Sequence, residues 1–544
     1  MDNNENKEQQ VVIEESEKKE KKKFNPAILI VIAIVFLLIL VVGTIVLAIA
    51  GVFGFRFLKS SKKTVTSKVN VVEVNKYADY QLNDNALSKF DLYFLQLENN
   101  KKNNVYSPLS IKYALEMLNE GAKGNSKKQI NNILGTYNNR VYPNNEHMSF
   151  ANAMFIKDSY KKDIKDSYIK TLSTKYNANV LYDTFKKPDA LNSWVSEKTF
   201  GLIDHLYDDI SDEDFILLNA LAIDMEWNKK IQSEHEDYVA EFSHENYEKY
   251  VLSLDSVDYH KLAFKDINYD AKSVEIAAVA NKYDLYNKIG EDSIRKTVKT
   301  EYDKWLNNDE VFCGEEISDF DAYLDDYIKD IKSNYKKISS STDFEFYTDS
   351  KVKVFAKDLK TYNNTTLQYV AIMPTTESLD AYIKNIKAED IQTLINNLKG
   401  VQLNSFKEGV ITEITGYIPM FKYNYKLDLI KDLEKLGIKD IFDSSKADLS
   451  NLTKSKSYIN DATHQATIEF SNDGIKAAAV TALGGKGAMD CGFDYKYEVP
   501  VEKIDLTFDK PFMYIIRDKS TNEAWFIGSV YEPVKYVEPD FDYE

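Results

Sequence analysis

Residues 464–482 of this 544-residue chain have the sequence HQATIEFSNDGIKAAAVTA. Ile468 and Phe470 alternate as in a β-strand, whereas the alanine run at 477–479 would favour a helix if it stood alone. Two glycines follow soon after the run and weaken the helical interpretation, because glycine is a poor helix former. This stretch is therefore predicted to be a strand that leads into an extended segment of small residues.

The elements around this stretch change in character along the chain. Phe90, Phe94 and Leu97 recur at helical spacing, whereas residues 367–373 and 504–516 alternate between apolar and polar as strands do. Helical periodicity comes early, and strand alternation dominates the C-terminal third. That order predicts an α+β fold rather than regular βαβ repeats, and no internal repeat is found.

The segment from about 259 to 340 differs from what surrounds it. It contains two amphipathic faces at helical spacing, one from Ile294 to Leu306 and the other from Phe320 to Tyr335. Amphipathic helices must bury their apolar face against another element. We therefore expect an inserted helical hairpin that packs on the host domain, with a partner-binding subdomain as the alternative.

Residues 26–55 contain no charged side chain. A bilayer core needs about 20 apolar residues, so this run is predicted to be a transmembrane helix. The small-x-small pattern of Ala48, Ile49 and Ala50 leaves a cleaved signal peptide as the alternative, although the run is longer than a signal sequence requires. Residues 1–25 are predicted to be a disordered cytoplasmic tail, and 56–75 a linker. Basic residues flank both ends of the helix, so charge alone does not determine its orientation.

Composition argues against several functional classes. The net charge is -17 and no basic stripe is present, which argues against binding to nucleic acid. The six histidines are scattered without metal-ligand spacing, and we expect neither a metal nor a cofactor. Cys313 and Cys491 are too few for a disulfide framework; two free thiols are expected, with one bridge as the alternative. Since no nucleophile elbow or catalytic triad is recognisable, no catalytic residue is predicted and the chain is not expected to be an enzyme.

Seven segments resemble the serpin family and occur in that family's order. They are NNVYSPLSIKYALEMLNEGAKGNSKKQI at 103–130, LNSWVSEKTFGLI at 191–203, FILLNALAIDMEW at 215–227, LQYVAIMP at 367–374, GYIPMFKYNYKLDLIKDLEKLGIKDIFD at 416–443, HQATIEFSNDGIKAAAVTA at 464–482 and FDKPFMYIIRDKSTNEAWFIGSVYEP at 508–533. The resemblance covers about 77–533, apart from the block at 259–340, which is not part of the usual serpin plan. A serpin domain is therefore predicted at 76–533, followed by an acidic tail at 534–544.

The resemblance implies three β-sheets, eight or nine helices and an exposed reactive loop. It also implies an inhibitor whose target is a serine protease, with a cysteine protease as the alternative. The target cuts a bait bond in the loop, and the loop then enters the main sheet as a new strand, which traps the protease. On this functional ground the domain is expected outside the cell, held at the cell membrane by a single pass at 26–55.

The same resemblance assigns roles to individual residues. The reactive-loop hinge comprises Gly474, Ala477, Ala478, Ala479 and Thr481. Glycine eases a bend because it has no Cβ, and alanine side chains are small enough to pass between parted strands. The sheet-opening gate, a set of hydrogen-bonding residues near the sheet centre, comprises Ser107, Ser110, Asn219 and His464. Trp227 matches a family tryptophan near the top of the same sheet, although simple core packing would also explain it.

The position of the bait bond is less sharply defined by the pattern. The family register from the hinge places it between Ala488 and Met489, with Lys486 and Gly487 as the alternative. A small residue would suit elastase-like or subtilisin-like proteases. A lysine would suit trypsin-like enzymes, whose specificity pocket contains an aspartate.

Several positions depart from the family pattern. Ile475 is bulkier than the usual hinge residue, and Asn472 replaces a common glutamate. Residues 489–500 make the loop about a dozen residues longer than usual, and aromatic side chains alternate within them at 493, 495 and 497, which predicts an extra strand or, alternatively, an exosite. Ile475 and the loop glycines favour the alternative function, a non-inhibitory serpin that serves as a cell-surface binding or structural protein.

Overall fold

The computed structural model describes residues 76–538 except 85, 139, 229–230, 232–238, 241–249, 252–258, 281–288, 308–316, 335–343, 401–409, 473–492, 494, 496 and 498–500. The predicted tail, transmembrane helix and linker at 1–75 lie outside the described residues and stay predictions. Among the helices of the described part, none combines the length and apolar character needed to cross a membrane. Cys313 and Cys491 also lie outside the described residues.

The described residues form ten α-helices. They are α1 (Lys89–Leu97), α2 (Pro108–Gly121), α3 (Gly124–Leu134), α4 (Asp166–Lys175), α5 (Asp189–Lys198), α6 (Glu291–Leu306), α7 (Phe320–Asn334), α8 (Leu379–Asn385), α9 (Ala388–Asn396) and α10 (Leu429–Lys435). Side-chain caps start the first two: Ser88 forms a capping box with Asp91, and the Ser107 hydroxyl accepts the Ser110 N–H, with Pro108 in the first turn.

Eighteen strands accompany these helices in the described part. They are β1 (Asn104–Tyr106), β2 (Met148–Lys157), β3 (Asn179–Asp183), β4 (Phe215–Ile223), β5 (Val239–Ala240), β6 (Tyr250–Val251), β7 (His260–Ala263), β8 (Asp270–Ala280), β9 (Phe344–Thr348), β10 (Val352–Asp358), β11 (Leu367–Pro374), β12 (Lys399–Gly400), β13 (Ile411–Pro419), β14 (Phe421–Asp428), β15 (Thr463–Phe470), β16 (Val501–Asp505), β17 (Phe512–Asp518) and β18 (Ala524–Val530).

A seven-stranded sheet forms the core of the domain. Its order is β1-β18-β17-β11-β10-β9-β12, and neighbouring strands are antiparallel throughout. Every residue of β11, β17 and β18 is buried, which explains why these segments are apolar almost without interruption. The α+β prediction is confirmed, with the helices packed around sheets that pair largely antiparallel.

A four-stranded sheet includes part of the block that was predicted to be an inserted helical hairpin. Its order is β16-β13-β8-β7, with β13 and β16 parallel. Strands β7 and β8 lie inside the block at 259–340, so this part of the block is sheet rather than helix; β8 pairs with β13 along eight residues. The helical hairpin itself is restricted to α6 and α7.

The remaining described strands form a three-stranded sheet, β3-β2-β4, and two pairs, β14-β15 and β5-β6. The expectation of three sheets and eight or nine helices therefore differs from the five sheets and ten helices of the described part. The helical hairpin accounts for two of the helices. The sheets β3-β2-β4 and β14-β15 flank one common opening, described below, so the expected main sheet is present as two halves.

A buried ion pair joins the first two helices. Lys112 Nζ lies 2.7 Å from Asp91 Oδ1, and both side chains are fully buried. The other Asp91 oxygen accepts the Ser88 N–H at 2.7 Å, and the Lys112 ammonium lies 5.3 Å from the centre of the Tyr137 ring. The carboxylate therefore serves both as the cap of α1 and as the counter-ion of a lysine that water does not reach.

Replacing this carboxylate by an amide should destabilise the domain. Asp91→Asn leaves Lys112 buried without its counter-ion, and breaking a buried pair from one side costs about 3–5 kcal/mol. We expect the thermal unfolding midpoint to fall clearly. The matched control is Asp79→Asn, which breaks the exposed 3.3 Å pair with Lys89 and should leave the midpoint unchanged. Equal midpoints for the two variants would contradict this account.

Candidate functional site: the cleft between two half-sheets

Strands β4 and β15 each present an unpaired edge to a common space. Within the described residues, β4 pairs only with β2 and β15 only with β14, and no backbone pairing joins β4 to β15. Both strands nevertheless line the same cavities. One of about 70 Å³ lies between Leu217–Leu221 and Thr463–Ala466, and another lies between Leu221–Asp224 and Thr467–Glu469. We call this space the cleft.

A third and larger cavity continues the cleft at the starts of the two strands. Its volume is about 250 Å³, and its walls include the first residues of β4 and the chain that leads into β15. Ile111 and Ala114 of α2 line both this cavity and the 70 Å³ cavity. The cleft therefore follows the length of both strands, with α2 beneath it.

The two half-sheets are joined beyond the ends of the cleft. After the strands end, Trp227 Nε1 donates to the Ser471 carbonyl at 2.9 Å, and the Ile231 N–H donates to the Asn472 carbonyl at 2.9 Å. Before the strands begin, Asn460 donates to Glu213 at 2.9 Å and the Tyr207 hydroxyl donates to Asp461 at 2.7 Å. β4 and β15 therefore run in the same direction and are fastened at both ends, while their facing edges stay unpaired.

Helix α2 connects the two half-sheets in the middle of the cleft. The Ser107 N–H donates to His464 Nε2 in β15 at 2.9 Å, and the Ser110 hydroxyl donates to the Asn219 carbonyl in β4 at 3.4 Å. The structure thus brings Ser107, Ser110, Asn219 and His464, the four residues predicted as the gate, around one cavity. The bond on the β4 side is long, so it is the weaker of the two links.

His464 is neutral in this arrangement. A backbone N–H can only donate, so Nε2 must accept and the ring proton must lie on Nδ1. Burial lowers the pKa of His464 from 6.5 to about 4, because a charged imidazolium would lose its hydration. Protonation would also remove the acceptor that holds the start of α2.

The facing edges also contain polar atoms without partners. Asn219 Oδ1 and Thr467 Oγ1 are buried and accept or donate no hydrogen bond within the described residues. The Asn219 amide nitrogen does bond, to Asn152 Oδ1 at 2.8 Å, and Asn152 in turn donates to the Tyr176 carbonyl at 2.8 Å. Asn152 therefore orients Asn219, although nothing in the MSFANAMFIK segment distinguished it from other residues of a strand.

Trp227 and Asn472 close the upper end of the cleft. The Trp227 ring is almost fully buried and meets Phe470 and Tyr369 edge-on, with centroids 5.6 and 5.9 Å away, in addition to its bond to Ser471. Asn472 is buried, and its side-chain oxygen has no partner within the described residues. Trp227 therefore fastens the chain directly after β15.

The residues assigned to the hinge and the bait bond lie in 473–492, outside the described residues. This applies to Gly474, Ala477, Ala478, Ala479 and Thr481, and to both candidate bonds, Ala488–Met489 and Lys486–Gly487. Their roles stay predictions. What the structure adds is the position of the last described residue before them, Asn472, at the upper end of the cleft.

The pKa of His464 predicts how stability depends on pH. The pKa of His464 is about 4 in the folded protein and 6.5 in the unfolded chain. Between these two pH values the unfolded chain therefore binds a proton that the folded protein does not bind. The contribution of neutral His464 to the free energy of unfolding is complete above pH 6.5 and is lost as the pH falls towards 4. The total loss is about 3 kcal/mol. Thermal unfolding measured from pH 7.5 to 4 should show this loss in the wild type and a smaller loss in His464→Gln. His205→Gln, at an exposed histidine, should behave as the wild type does; equal slopes for all three proteins would contradict the assignment.

Comparison with known proteins agrees with this architecture. The profile of the family described as "Serpin (serine protease inhibitor)" matches residues 85–252 and 326–533, more than half of the chain, and omits most of the helical hairpin. An uncharacterised serpin-like protein of Methanosarcina mazei is 23% identical over 87% of this chain and 92% of its own length. The leukocyte elastase inhibitor of Bos taurus is 23% identical over 81% and 97%, respectively.

Solved structures agree on the fold. The thermophilic serpin tengpin in its native state superposes with a TM-score of 0.53 at 22% identity, over 84% of this chain and 99% of tengpin. Native protease nexin-1 with heparin superposes with a TM-score of 0.51 at 19% identity, over 81% and 96%, respectively. The family profile matches long segments before and after the hairpin, and the sheet divided by the cleft agrees with it. This chain therefore belongs to the serpin family.

Proposed function

We propose that this protein inhibits serine proteases as a suicide substrate, with insertion of its reactive loop into the cleft. The observation that supports this most directly is the pair of unpaired edges on β4 and β15, which are fastened at both ends yet open between. The chain leaves β15 through Asn472 at the upper end of this opening. A segment that reverses there runs antiparallel to both strands and can pair with both.

The chemical step belongs to the protease. Its serine oxygen attacks the carbonyl carbon of the bait residue, a C–O ester bond forms, the C–N bond breaks, and the new amine stays on the C-terminal segment. The N-terminal arm from Gly474 is then free at one end and remains bonded to β15 at the other. Insertion of this arm before water attacks the ester would carry the acyl-enzyme along the molecule.

The energy for insertion comes from the cleft. Each backbone hydrogen bond formed along the two edges contributes about 0.5–1.5 kcal/mol net. Within the described residues, no strand pairs with either edge beforehand. Small side chains such as those at 477–479 suit the narrow cavities between the strands. The hydrogen bonds from α2 to β4 and β15 must adjust as the strand enters. The long Ser110–Asn219 bond costs less free energy to break than the shorter Ser107–His464 bond.

An elastase-like enzyme is the proposed target class. The predicted bait residue Ala488 is small, and one of the relatives is a leukocyte elastase inhibitor. A trypsin-like enzyme would instead select the alternative bond after Lys486, and a cysteine protease could form the corresponding thioester. The released C-terminal fragment distinguishes the two bonds, because it begins with Met489 in one case and Gly487 in the other.

We also propose that residues 26–55 anchor the chain in the cell membrane with the serpin domain outside. The uncharged apolar run supports the anchor, and the proposed target class supports the orientation. Protease added to whole cells should digest the domain. A domain that stays intact until the cells are lysed would contradict this orientation.

The decisive measurement is a covalent complex. We expect the full-length protein in detergent micelles, mixed with elastase-, subtilisin- and trypsin-like proteases, to give a band at the summed mass that survives denaturation. Cutting within the loop should also raise the thermal unfolding midpoint strongly, because the inserted strand replaces unpaired edges.

A proline in the hinge separates insertion from cleavage. Ala478→Pro removes a backbone donor from a strand that would be central, so the variant should be cut without forming the complex. The matched control, Thr481→Val, keeps a β-branched side chain and should still form the complex. Clean cleavage of the wild type by every protease, with no stable band, would overturn the proposal and leave the non-inhibitory function to which Ile475 and the loop glycines point.

A further inference from the structure

The helical hairpin has a small core of its own. Ile294 and Val298 of α6 and Leu324 and Ile328 of α7 are buried against each other. Arg295 crosses between the helices and lies 2.8 Å from Asp325. Two helices of 16 and 15 residues can bury only one layer between them, so further apolar surface must be covered by another element.

That element is the C-terminal end of the reactive loop. Phe493, Tyr495 and Tyr497, which we call the stem residues, pack in the same cluster, and Tyr497 is only 6% exposed. The Phe493 ring lies 5.0 Å from the ring of Tyr302, 5.7 Å from that of Trp305 and 6.0 Å from that of Tyr323. Aromatic pairs at these distances attract one another beyond the area they bury.

Hydrogen bonds hold the stem backbone to the hairpin as well. The Tyr327 hydroxyl donates to the Tyr495 carbonyl at 3.1 Å and accepts the Tyr497 N–H at 2.9 Å. The alternation at 493, 495 and 497 predicted an extra strand, but none of these three residues is in a strand. The side chains that alternate are instead bound by helices.

The two departures from the family pattern therefore contact each other. The family profile omits 253–325, which contains α6, and the loop extension at 489–500 contains the stem residues. We propose that the α6–α7 hairpin is a clamp that binds the stem residues of the loop extension and so shortens the part of the uncut loop that is free to insert. Only the effect on loop insertion rests on the proposed function. The contact between the hairpin and the stem residues is independent of any protease.

Chain length explains why the clamp matters. Held at Asn472 and Phe493, the uncut loop has the 20 residues 473–492 to itself; released as far as Pro500, it has 28. A segment that fills the cleft along the eight residues of β15 and returns, with reversals of two to five residues at each turn, needs about 20 to 26 residues.

The uncut chain also has to reach β16. β16 begins at Val501, which pairs with Ile411, the end of β13 farthest from β14. A clamped loop has no residue beyond the lowest estimate of about 20, whereas a released one has eight more. Cutting the bait bond removes the limit, because the N-terminal arm no longer has to return.

The test weakens the clamp from both sides in the full-length protein. The double variant Phe493→Ala/Tyr495→Ala removes stem contacts and leaves both helices unaltered; Tyr327→Phe removes only the bridging hydroxyl. Leu306→Ala, at an exposed apolar residue of α6 outside the cluster, is the control for the first, and Tyr347→Phe, whose hydroxyl bonds Asp349, is the control for the second.

Two measurements are made on uncut protein without protease. Hydrogen exchange at the Tyr497 amide should be about tenfold faster in Tyr327→Phe than in the wild type, equivalent to about 1.4 kcal/mol. During incubation at 37 °C, the double variant should convert to a heat-resistant form that no longer traps protease at least several-fold faster than the wild type, while both controls match the wild type.

Wild-type exchange and wild-type conversion rates in both clamp variants would overturn the clamp. If circular dichroism shows that the double variant has lost helix, the test rests on the exchange and conversion rates of Tyr327→Phe alone. A wild type that forms no protease complex, but whose Tyr497 amide depends on Tyr327, would sink the proposed function and retain the contact. A wild type that traps protease while the clamp variants convert no faster would support the proposed function and overturn the clamp.

Discussion

The structure depends on two strands that face each other without pairing. Backbone N–H and C=O groups are seldom left unpaired inside a protein, and edge strands are normally covered or blocked. Within the described part of the chain, β4 and β15 are both edge strands, and no backbone pairing joins one to the other. Hydrogen bonds fasten both ends of this opening, and residues of α2 line the space between them.

The remaining architecture can be understood as support for this opening. The seven-stranded sheet is buried throughout its centre and provides a rigid body against which the half-sheets lie. The Asp91–Lys112 pair ties α1 to α2, so the helix that contacts both half-sheets is itself held from behind. Its links into the cleft are few and of unequal strength, one to a neutral histidine and one long bond to a carbonyl. A buried central sheet beside a weakly linked cleft is consistent with the strand insertion proposed above.

The helical hairpin also depends on a contact between distant parts of the chain. An insertion with one buried layer would be a liability if its second apolar face stayed in water. The stem residues cover that face, and the hairpin in turn holds Phe493, Tyr495 and Tyr497. Two additions that are far apart in the chain, near 291–334 and 489–500, are therefore coupled through a single cluster.

Much of this protein was predictable from local sequence. Helical spacing identified both helices of the hairpin, alternation identified the core strands, and the ordered motifs identified the family and named four residues that do meet around one cavity. The sequence also limited the chemistry, because no metal-ligand spacing or nucleophile context is present. These features depend on residues close together in the chain, where periodicity and side-chain type are sufficient information.

The tertiary structure decided what depends on distant contacts. Ser107 and His464 are 357 positions apart, and only packing could show that a backbone N–H meets that ring nitrogen. Asn152 and the Tyr327–Tyr495 bond carry no local signal, because an asparagine in a strand or a tyrosine on a helix has many possible partners. The sequence by itself determined which segments could be strands and which could be helices; only the folded chain determined that two of those strands would be left open to each other, because the pairing of edges is set by everything packed around them.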